Sequence, residues 1–354
     1  MLDQQEPLEL FAAAVARSPW LAMDTEADSL HCYPEKLCLM QFALPDHVDL
    51  VDTLAGLDMT PLLKAMSDRE IILHGADYDL RLLKRTYGFV PGIIFDTMTA
   101  ARLAGLEQFG FSNVVEKLLG VKLEKGPQKS DWTRRPLTDR MEEYAKNDAF
   151  YLFPLAEQLR KLLVEKGRLA WHAELCARLI TDSVAAEGRT DPDNWRLAGS
   201  GRLSSRELAI LRALWHWRDA EAVRANRPPF FVVSHDTLLE ISCAAGAGEP
   251  IEDRIPLRMH PRRKDGIRQT VKAALKIAET DWPLPVKSFG RRPTESELVR
   301  FDKLRSHRDK VATELAIDPT LIAPKGILMG LSQNAEETLP TMMRWQRELM
   351  GYPA

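Results

Sequence analysis

The feature that most constrains this sequence is a pair of carboxylates at the end of a short apolar run. The run Trp20–Met23 is followed by Asp24, Thr25 and Glu26. An apolar run of this length predicts a buried β-strand. Because side chains alternate along a strand, Asp24 and Glu26 point to the same face. Two like charges on one face repel each other, so the pair is either solvated or held together by a cation.

Further carboxylates occur at two other places in the chain. In the segment His74–Leu80, Asp77 and Asp79 lie where a predicted strand ends and a helix begins, and side chains at such junctions project beyond the sheet edge. Asp77 is placed to cap the helix, which leaves Asp79 for chemistry. Farther along, Tyr144 and Asp148 have i,i+4 spacing and therefore share one face of a predicted helix.

Together these loci supply four carboxylates and one phenol, with no competing His or Cys cluster. Hard oxygen ligands of this number suit Mg²⁺ or Mn²⁺ and not zinc. Two such ions about 4 Å apart activate water and stabilise the leaving oxygen in phosphodiester cleavage. A phenol beside the last carboxylate can orient that water or take its proton. Each locus taken alone is also compatible with a solvated strand end or an exposed helix carboxylate.

The N-terminal half predicts an α/β domain built on a mixed five-stranded sheet flanked by helices. Short turns between the first three strands favour antiparallel neighbours, and the strand–helix alternation that follows places helices against the sheet. The predicted strands span residues 20–23, 37–43, 48–51, 71–74 and 93–95. The predicted helices span residues 5–17, 61–66, 77–87 and 112–120, with a long helix starting near Thr138 as N-cap.

The C-terminal half predicts a helical region. A Gly-, Ser-, Asp- and Asn-rich stretch over 187–205 indicates a linker, and a Pro-rich basic segment over 281–293 indicates a second one. Helices are predicted over 207–223, 236–245, 266–277 and within 294–350, with one brief strand at 230–233. The two helical blocks are similar in size, which suggests a duplication without proving it.

The composition indicates a protein of a reducing compartment. The four cysteines (32, 38, 176 and 243) form no CxxC pair, which disfavours a disulfide framework or a zinc site. The first residues are acidic where a signal peptide is basic. No apolar run reaches the ~18 residues needed to span a bilayer. We therefore expect a cytoplasmic protein with no membrane partner.

The charge is distributed unevenly. The net charge is −3, yet residues 254–310 contain 16 Lys and Arg against 7 Asp and Glu. Such asymmetry is typical of a region that meets a polyanion, although a solvated basic helical surface gives the same count. Phosphate contacts of this kind supply affinity without sequence choice. The candidate contacts are Arg262, Arg263, Lys264, Arg291 and Arg292.

At these motifs the chain resembles ribonuclease D, in the Tyr-containing branch of the DEDD exonuclease superfamily. The matching elements are Asp24-x-Glu26, Asp79 in a His-Gly-(x)3-Asp-Leu context, and Tyr144-(x)3-Asp148. Other similar segments are 33–41, 129–132 and 135–138. The segments 203–219 and 227–239 are similar to the HRDC domain, a helical module shared by helicases and ribonuclease D. The resemblance covers roughly residues 15–285 and is weaker over 294–350.

The resemblance implies a ribonuclease H-like sheet and hydrolytic removal of nucleoside 5′-monophosphates from RNA 3′ ends by a monomeric enzyme. Its substrates would be tRNA precursors with 3′ extensions. Asp24, Glu26, Asp79 and Asp148 would hold two divalent ions, Mg²⁺ or Mn²⁺, and Tyr144 would position the attacking water. The implied domains are an exonuclease domain over 1–187, a linker over 188–203, an HRDC domain over 204–283 and a second HRDC-like domain over 294–354.

Two residues in the loop before the catalytic helix are candidates for substrate binding. Lys129 is placed to meet the RNA backbone, and Trp132 to stack on a terminal base. Burial of Trp132 against the sheet is an equally good interpretation.

Other functions stay open at this point. The same acidic site serves 3′→5′ exonucleases that act on DNA ends, and an inactive nuclease-like scaffold could bind RNA through its basic helices. Retention of all four acids and Tyr144 disfavours the scaffold. A nucleotide-dependent dehydrogenase or NTPase is excluded because the chain has no GxGxxG or GxxxxGKS/T element.

Overall fold

The computed structural model describes residues 1–124, 126–187, 194–285 and 292–353. These residues form two compact units. The first unit contains residues 1–27, 37–187 and 292–353, and the second contains residues 28–36 and 194–285. The domain boundaries predicted from the sequence stay a prediction. The contacts differ from that sequential division at two places, because residues 28–36 pack with the second unit and the C-terminal helices pack with the first.

The first unit is built on a mixed five-stranded sheet, as predicted. The strand order is β3-β2-β1-β4-β5. The pairs β1–β2 and β2–β3 are antiparallel, and the pairs β1–β4 and β4–β5 are parallel. Strand β1, which carries the acidic pair, is therefore the central strand. The strands are β1 (Leu21–Ala27), β2 (Leu37–Ala43), β3 (Val48–Asp52), β4 (Glu70–Leu73) and β5 (Ile93–Asp96).

Helices pack against the sheet and form most of the remaining regular structure of the described residues. The first eight helices are α1 (Gln5–Arg17), α2 (Thr60–Ser67), α3 (Asp77–Tyr87), α4 (Thr97–Leu103), α5 (Phe111–Leu119), α6 (Asp139–Phe150), α7 (Leu152–Glu165) and α8 (Leu169–Glu187). The second unit contains α9 (Ser205–Ala225), α10 (Pro229–Val232), α11 (His235–Ala247) and α12 (Pro261–Ala274). The C-terminal helices are α13 (Glu295–Leu315), α14 (Pro319–Ile322), α15 (Lys325–Gln333), α16 (Ala335–Thr338) and α17 (Arg344–Leu349). In the described ranges, no helix is both long and apolar enough to cross a bilayer.

Local signals in the sequence place several helix ends correctly. Gly88 ends α3 with a left-handed φ of 66°. The side chain of Thr138 accepts a hydrogen bond from the Met141 N–H at the start of α6. Asp96 caps α4 by accepting from the Thr99 N–H at 2.6 Å. These caps satisfy backbone groups that a helix end leaves without an intrahelical partner.

The predicted capping of α3 by Asp77 is wrong. Asp77 lies inside the first turn, where its carboxylate pairs with Arg81 at 2.6 Å. The N–H of Ala76, the residue before α3, instead donates to Asp96 at 2.6 Å. Since Asp96 comes from β5, this long-range contact was not visible in the local sequence.

Two other local predictions are corrected by the structure. The long helix predicted from Thr138 is two helices, because α6 ends at Phe150 and α7 begins at Leu152. The strand predicted over 230–233 is the short helix α10, which starts with Pro229 at its first turn. Of the predicted linker 188–203, residues 188–193 lie outside the described residues. Trp195 and Leu197 in the described part are buried in the hydrophobic core of the second unit, and the linker itself stays a prediction.

Helices α9 and α13 share a pattern at a constant offset along the chain. Each has 21 residues and starts with a capping box, Ser204 with Glu207 in one and Thr294 with Glu297 in the other. Each is followed by a four-residue helix that begins with proline, α10 and α14. This pattern supports the predicted duplication, while the assignment of the second block as HRDC-like stays a prediction.

The C-terminal helices are part of the core of the first unit. Trp345 stacks on Trp171 of α8 with ring centroids 4.8 Å apart. The buried guanidinium of Arg168 donates to the Leu103 and Leu315 carbonyl oxygens, each at 2.6 Å. Deleting these helices would therefore expose apolar surface of the exonuclease part.

In the second unit, residues 28–36 are anchored through Tyr33. Its hydroxyl donates to the Asp219 carboxylate in α9, and its N–H donates to the Asn226 side chain at 3.2 Å. Two segments that the sequence analysis singled out separately, 33–41 and 203–219, therefore meet. Residues 28–36 lie between β1 and β2 in the chain.

We predict that Gly105→Ala destabilises the protein. Gly105 has φ 86°, and a Cβ there would overlap the Ala316 carbonyl oxygen, so the substitution adds a clash to the backbone strain. Gly120→Ala is the matched control, because Gly120 has φ 71° with no heavy atom within 4 Å of its Cβ position. Thermal unfolding should show a larger fall in Tm for Gly105→Ala, and equal falls would contradict the packing of α13 against this turn.

Candidate active site

Three carboxylates from two elements converge at one point on the sheet. Asp24 and Glu26 project from β1, and Asp148 projects from α6, which packs across β1, β2 and β3. One oxygen of each carboxylate lies within 4.8 Å of the others. All three side chains are half-buried. The alternation of β1 explains why Asp24 and Glu26 reach the same side of the sheet.

Tyr144 lies beside Asp148, as their helical spacing predicts. Its hydroxyl donates a hydrogen bond to the Asp148 carboxylate. The backbone at Gly126 lies against the Tyr144 ring, and any Cβ at this position would overlap the ring. The position of Tyr144 is thus fixed by α6 and by a loop that has room only for glycine. The sequence analysis did not single out Gly126, because only the folded loop brings it to the ring.

Asp79 reaches the site from the other side of β1. It lies in the first turn of α3, is 5% exposed, and accepts a hydrogen bond from the Thr25 hydroxyl. Thr25 sits between Asp24 and Glu26, so its side chain points to the face opposite theirs. Asp79 is outside the group of three converging oxygens, yet its charge acts on Asp24 and Glu26. The sequence analysis missed Thr25, and its place between the two acids was the available signal.

The carboxylates disfavour one another's ionisation. Burial raises the pKa of Asp24 well above its ordinary value, and the charges of Asp79 and Asp148 raise it further. Burial and the neighbouring Asp24, Asp148 and Asp79 raise the pKa of Glu26 to about 10. Burial raises the pKa of Asp79 to about 7 and that of Asp148 to about 6, against hydrogen bonds from Thr25 and Tyr144. The protein alone thus stabilises the neutral acids, whereas a cation would stabilise their ionised forms.

The donor set fits a hard divalent cation. It contains carboxylate oxygens and one phenol, with no sulfur or imidazole among the converging groups. Oxygen ligands in this number suit Mg²⁺ or Mn²⁺. The repulsion within the group would be relieved by such a charge, so the cluster is a candidate divalent-metal centre.

The two loop residues predicted to bind substrate have different environments. Lys129 is exposed in the loop before α6, and its contact with RNA stays a prediction. Trp132 is 0% exposed and packs with Leu39, Leu50 and Met141. It offers no ring face to a base, so the stacking role is wrong and the alternative, burial against the sheet, is correct. The Trp132 ring therefore packs against apolar side chains of β2 and β3 and is not accessible to a base.

The basic candidates in α12 belong to the second unit and differ in their exposure and contacts. Arg262 is exposed in the first turn of α12. Arg263 forms an ion pair with Glu221 at 2.9 Å, and the Lys264 ammonium donates to the Leu257 carbonyl oxygen at 2.9 Å. Arg291 lies outside the described residues, and Arg292 is exposed. Their role in phosphate binding stays a prediction, best supported for Arg262.

Comparisons with known proteins identify the family of the chain. The family described as 3′-5′ exonuclease matches residues 1–164, and the HRDC domain family matches residues 207–245. Ribonuclease D of Gluconacetobacter diazotrophicus is 32% identical over 358 residues, which cover 99% of this chain and 90% of the relative. The chain belongs to the ribonuclease D family.

Other members extend this relationship over the whole chain. Ribonuclease D of Acidiphilium cryptum is 33% identical over 367 residues, covering 100% of this chain and 91% of the relative. The crystal structure of Escherichia coli RNase D has the same fold, with a TM-score of 0.78 at 24% identity, covering 100% of this chain and 99% of that chain. As a member of this family, the protein is a hydrolytic 3′→5′ exoribonuclease with an HRDC domain.

We predict that Asp24→Asn stabilises the metal-free protein, because it removes one of the mutually repelling carboxylates. One unit of pKa shift corresponds to about 1.4 kcal/mol, and one kcal/mol shifts Tm by about 2–4 °C at this domain size. Since the folded-state pKa values are raised, these acids favour folding at low pH and lose that contribution as pH rises through about 6 and 7. Thermal unfolding in chelator at pH 5 and pH 8 should show a smaller pH-dependent loss for the variant. An Asp24→Asn protein less stable than wild type at pH 8 would contradict the repulsion.

Proposed function

We propose that Asp24, Glu26, Asp79 and Asp148 hold two divalent ions, Mg²⁺ or Mn²⁺, for cleavage of the last phosphodiester bond at an RNA 3′ end. The observation that carries the proposal is the convergence of three carboxylates beside a phenol that is hydrogen-bonded to one of them. When bound, such ions lower the pKa of water and stabilise charge on the leaving oxygen. The product of each cycle would be a nucleoside 5′-monophosphate.

Residues of the chain itself orient the attacking water and the carboxylate side chains. The Tyr144 hydroxyl donates its hydrogen bond to the Asp148 carboxylate. The lone pairs of its oxygen can therefore accept a hydrogen bond from an attacking water. Thr25 fixes the rotamer of Asp79 on the far side of β1. Trp132, packed beneath α6 with its ring centroid 6.2 Å from that of Tyr144, excludes solvent from behind the phenol.

The proposed substrates are structured RNAs with 3′ extensions, tRNA precursors in particular. Support comes from family membership and from E. coli RNase D, described as an exoribonuclease involved in structured RNA processing. The basic segment 254–310 is suited to the phosphate backbone, and Arg262 in α12 is one of its exposed cations. Lys129, exposed in the loop before α6, is a further candidate contact. The acidic site itself does not distinguish RNA from DNA.

We also propose that the enzyme acts as a monomer in the cytoplasm. All five proposed site residues come from one chain, so a monomer suffices for catalysis. The four cysteines are free thiols, which suits a reducing cytoplasm.

We predict that the protein shortens a 5′-labelled, 3′-extended tRNA stepwise with Mg²⁺ or Mn²⁺, and that chelator abolishes the shortening. Asp24→Asn and Asp148→Asn should each lower the rate more than about 100-fold, since even indirect partners of a metal are worth 10–100-fold. Gel analysis beside a matched single-stranded DNA is the measurement. Faster shortening of the DNA would favour a DNA exonuclease, and RNA binding without any shortening would favour an inactive scaffold.

We predict that Tyr144→Phe lowers kcat by about 10²–10⁴-fold, the range for a group that handles a proton or orients a nucleophile. The ring, and therefore its packing against Gly126, is retained. Single-turnover digestion of the same RNA, together with Mn²⁺ binding by calorimetry, separates the steps. Unchanged Mn²⁺ affinity with slow cleavage is expected, whereas unchanged cleavage would remove Tyr144 from the mechanism.

A further inference from the structure

A buried glutamine adjoins the carboxylate cluster. Gln41 lies in β2, whose sequence Leu-Cys-Leu-Met-Gln-Phe-Ala is otherwise apolar, and it is 0% exposed. Neither its Nε2 nor its Oε1 has a hydrogen-bond partner among the residues that the structure describes. Burying an amide without partners is unfavourable, and most buried polar side chains in proteins are paired. The established reaction and the five proposed site residues leave this side chain unexplained.

The strand register places Gln41 next to Asp24. Gln41 is the direct cross-strand partner of Asp24 in the antiparallel β1–β2 pair. Side chains of such a pair point to the same face, with Cβ atoms about 4.5–5.5 Å apart. Two residues farther along, Leu39 is the cross-strand partner of Glu26. Gln41 and Leu39 on β2 therefore lie beside Asp24 and Glu26 on β1, on the same face of the sheet.

The surroundings of Gln41 show which face this is. Its cross-strand partner on β3 is Leu50, and Leu39 and Leu50 both pack with Trp132 and Met141 under α6. Tyr144 packs against the same cluster. The direct neighbours of Gln41 in the sheet are thus the apolar Leu50 on β3 and the carboxylate of Asp24 on β1, and Asp24 is the polar side chain of that pair.

We propose that Gln41 is a positioning residue for Asp24, whose carboxylate receives a hydrogen bond from the Gln41 amide when a divalent ion is bound. The inference rests on the proposed metal function of Asp24. An ionised carboxylate held by an ion uses one oxygen as ligand, and the other is oriented by an N–H donor. A neutral amide suits this position, because a lysine would compete with the ion for the carboxylate and a leucine would leave its second oxygen without a donor.

The experiment compares Gln41→Met with wild type in two measurements on the full-length chain. Met has nearly the shape of Gln but no amide, so in chelator the Tm of the variant should equal or exceed that of wild type. Calorimetric titration with Mn²⁺ alone should show a dissociation constant raised about 10–100-fold. A merely structural glutamine predicts the opposite pattern, a lower Tm with unchanged Mn²⁺ affinity.

Leu50→Met is the matched control. It places the same side chain on the neighbouring strand of the same face, where Leu50 is 1% exposed, and should leave Mn²⁺ affinity unchanged. A Tm for Gln41→Met below that of Leu50→Met, or a Mn²⁺ affinity within about two-fold of wild type, overturns the inference. If wild type itself neither binds Mn²⁺ nor digests RNA, the proposed function fails instead, so the two failures are distinguishable.

A spectroscopic measurement reads the hydrogen bond itself. In protein labelled with ¹⁵N-glutamine, the side-chain amide signals of Gln41 are those absent from Gln41→Met. Adding Mg²⁺ should shift these signals and slow their exchange with water, and Asp24→Asn should abolish the change. Signals that stay fixed on Mg²⁺ addition to wild type overturn the inference.

Discussion

The repulsion between carboxylates at the end of β1 is the constraint on which the rest of this structure depends. Asp24 and Glu26 must share one face because a strand alternates, and Asp148 joins them from α6. The apolar part of β1, 0% exposed at Leu21, Ala22 and Met23, fixes the strand at the centre of the sheet. The hydrophobic core thereby holds together charges that would separate in a flexible chain.

The surrounding elements restrict these side chains from both sides of the sheet. Thr25 holds Asp79 on one side, and Tyr144, backed by Gly126 and Trp132, restricts Asp148 on the other. The C-terminal helices brace this framework through the Trp171–Trp345 stack and the two carbonyl contacts of Arg168. Burying these acids destabilises the folded state, and bound ions stabilise the protein only once the fold has formed. The rest of the fold must therefore hold the acids in place.

Much of the fold followed from local patterns. Apolar runs gave the five strands, and caps at Gly88, Asp96 and Thr138 gave helix ends, because each signal acts within a few residues. The predictions that failed depend on features other than the local apolar pattern. Asp77 does not cap α3, and the Ala76 N–H that precedes this helix donates to Asp96 of β5. Residues 230–232 are helical, after Pro229 at the first position, although their apolar run favours a strand.

The sequence by itself placed Asp24 and Glu26 on one face of a strand and Tyr144 and Asp148 on one face of a helix, and it located Asp79 at a strand–helix junction. Only the tertiary structure decided which neighbours act on them. Thr25, Gly126 and Gln41 acquire their roles from contacts across the sheet or from a loop, and Trp132 turned out to be core. The physical reason is that periodicity fixes the direction of a side chain, whereas burial and hydrogen-bond partners depend on residues that are distant in the chain.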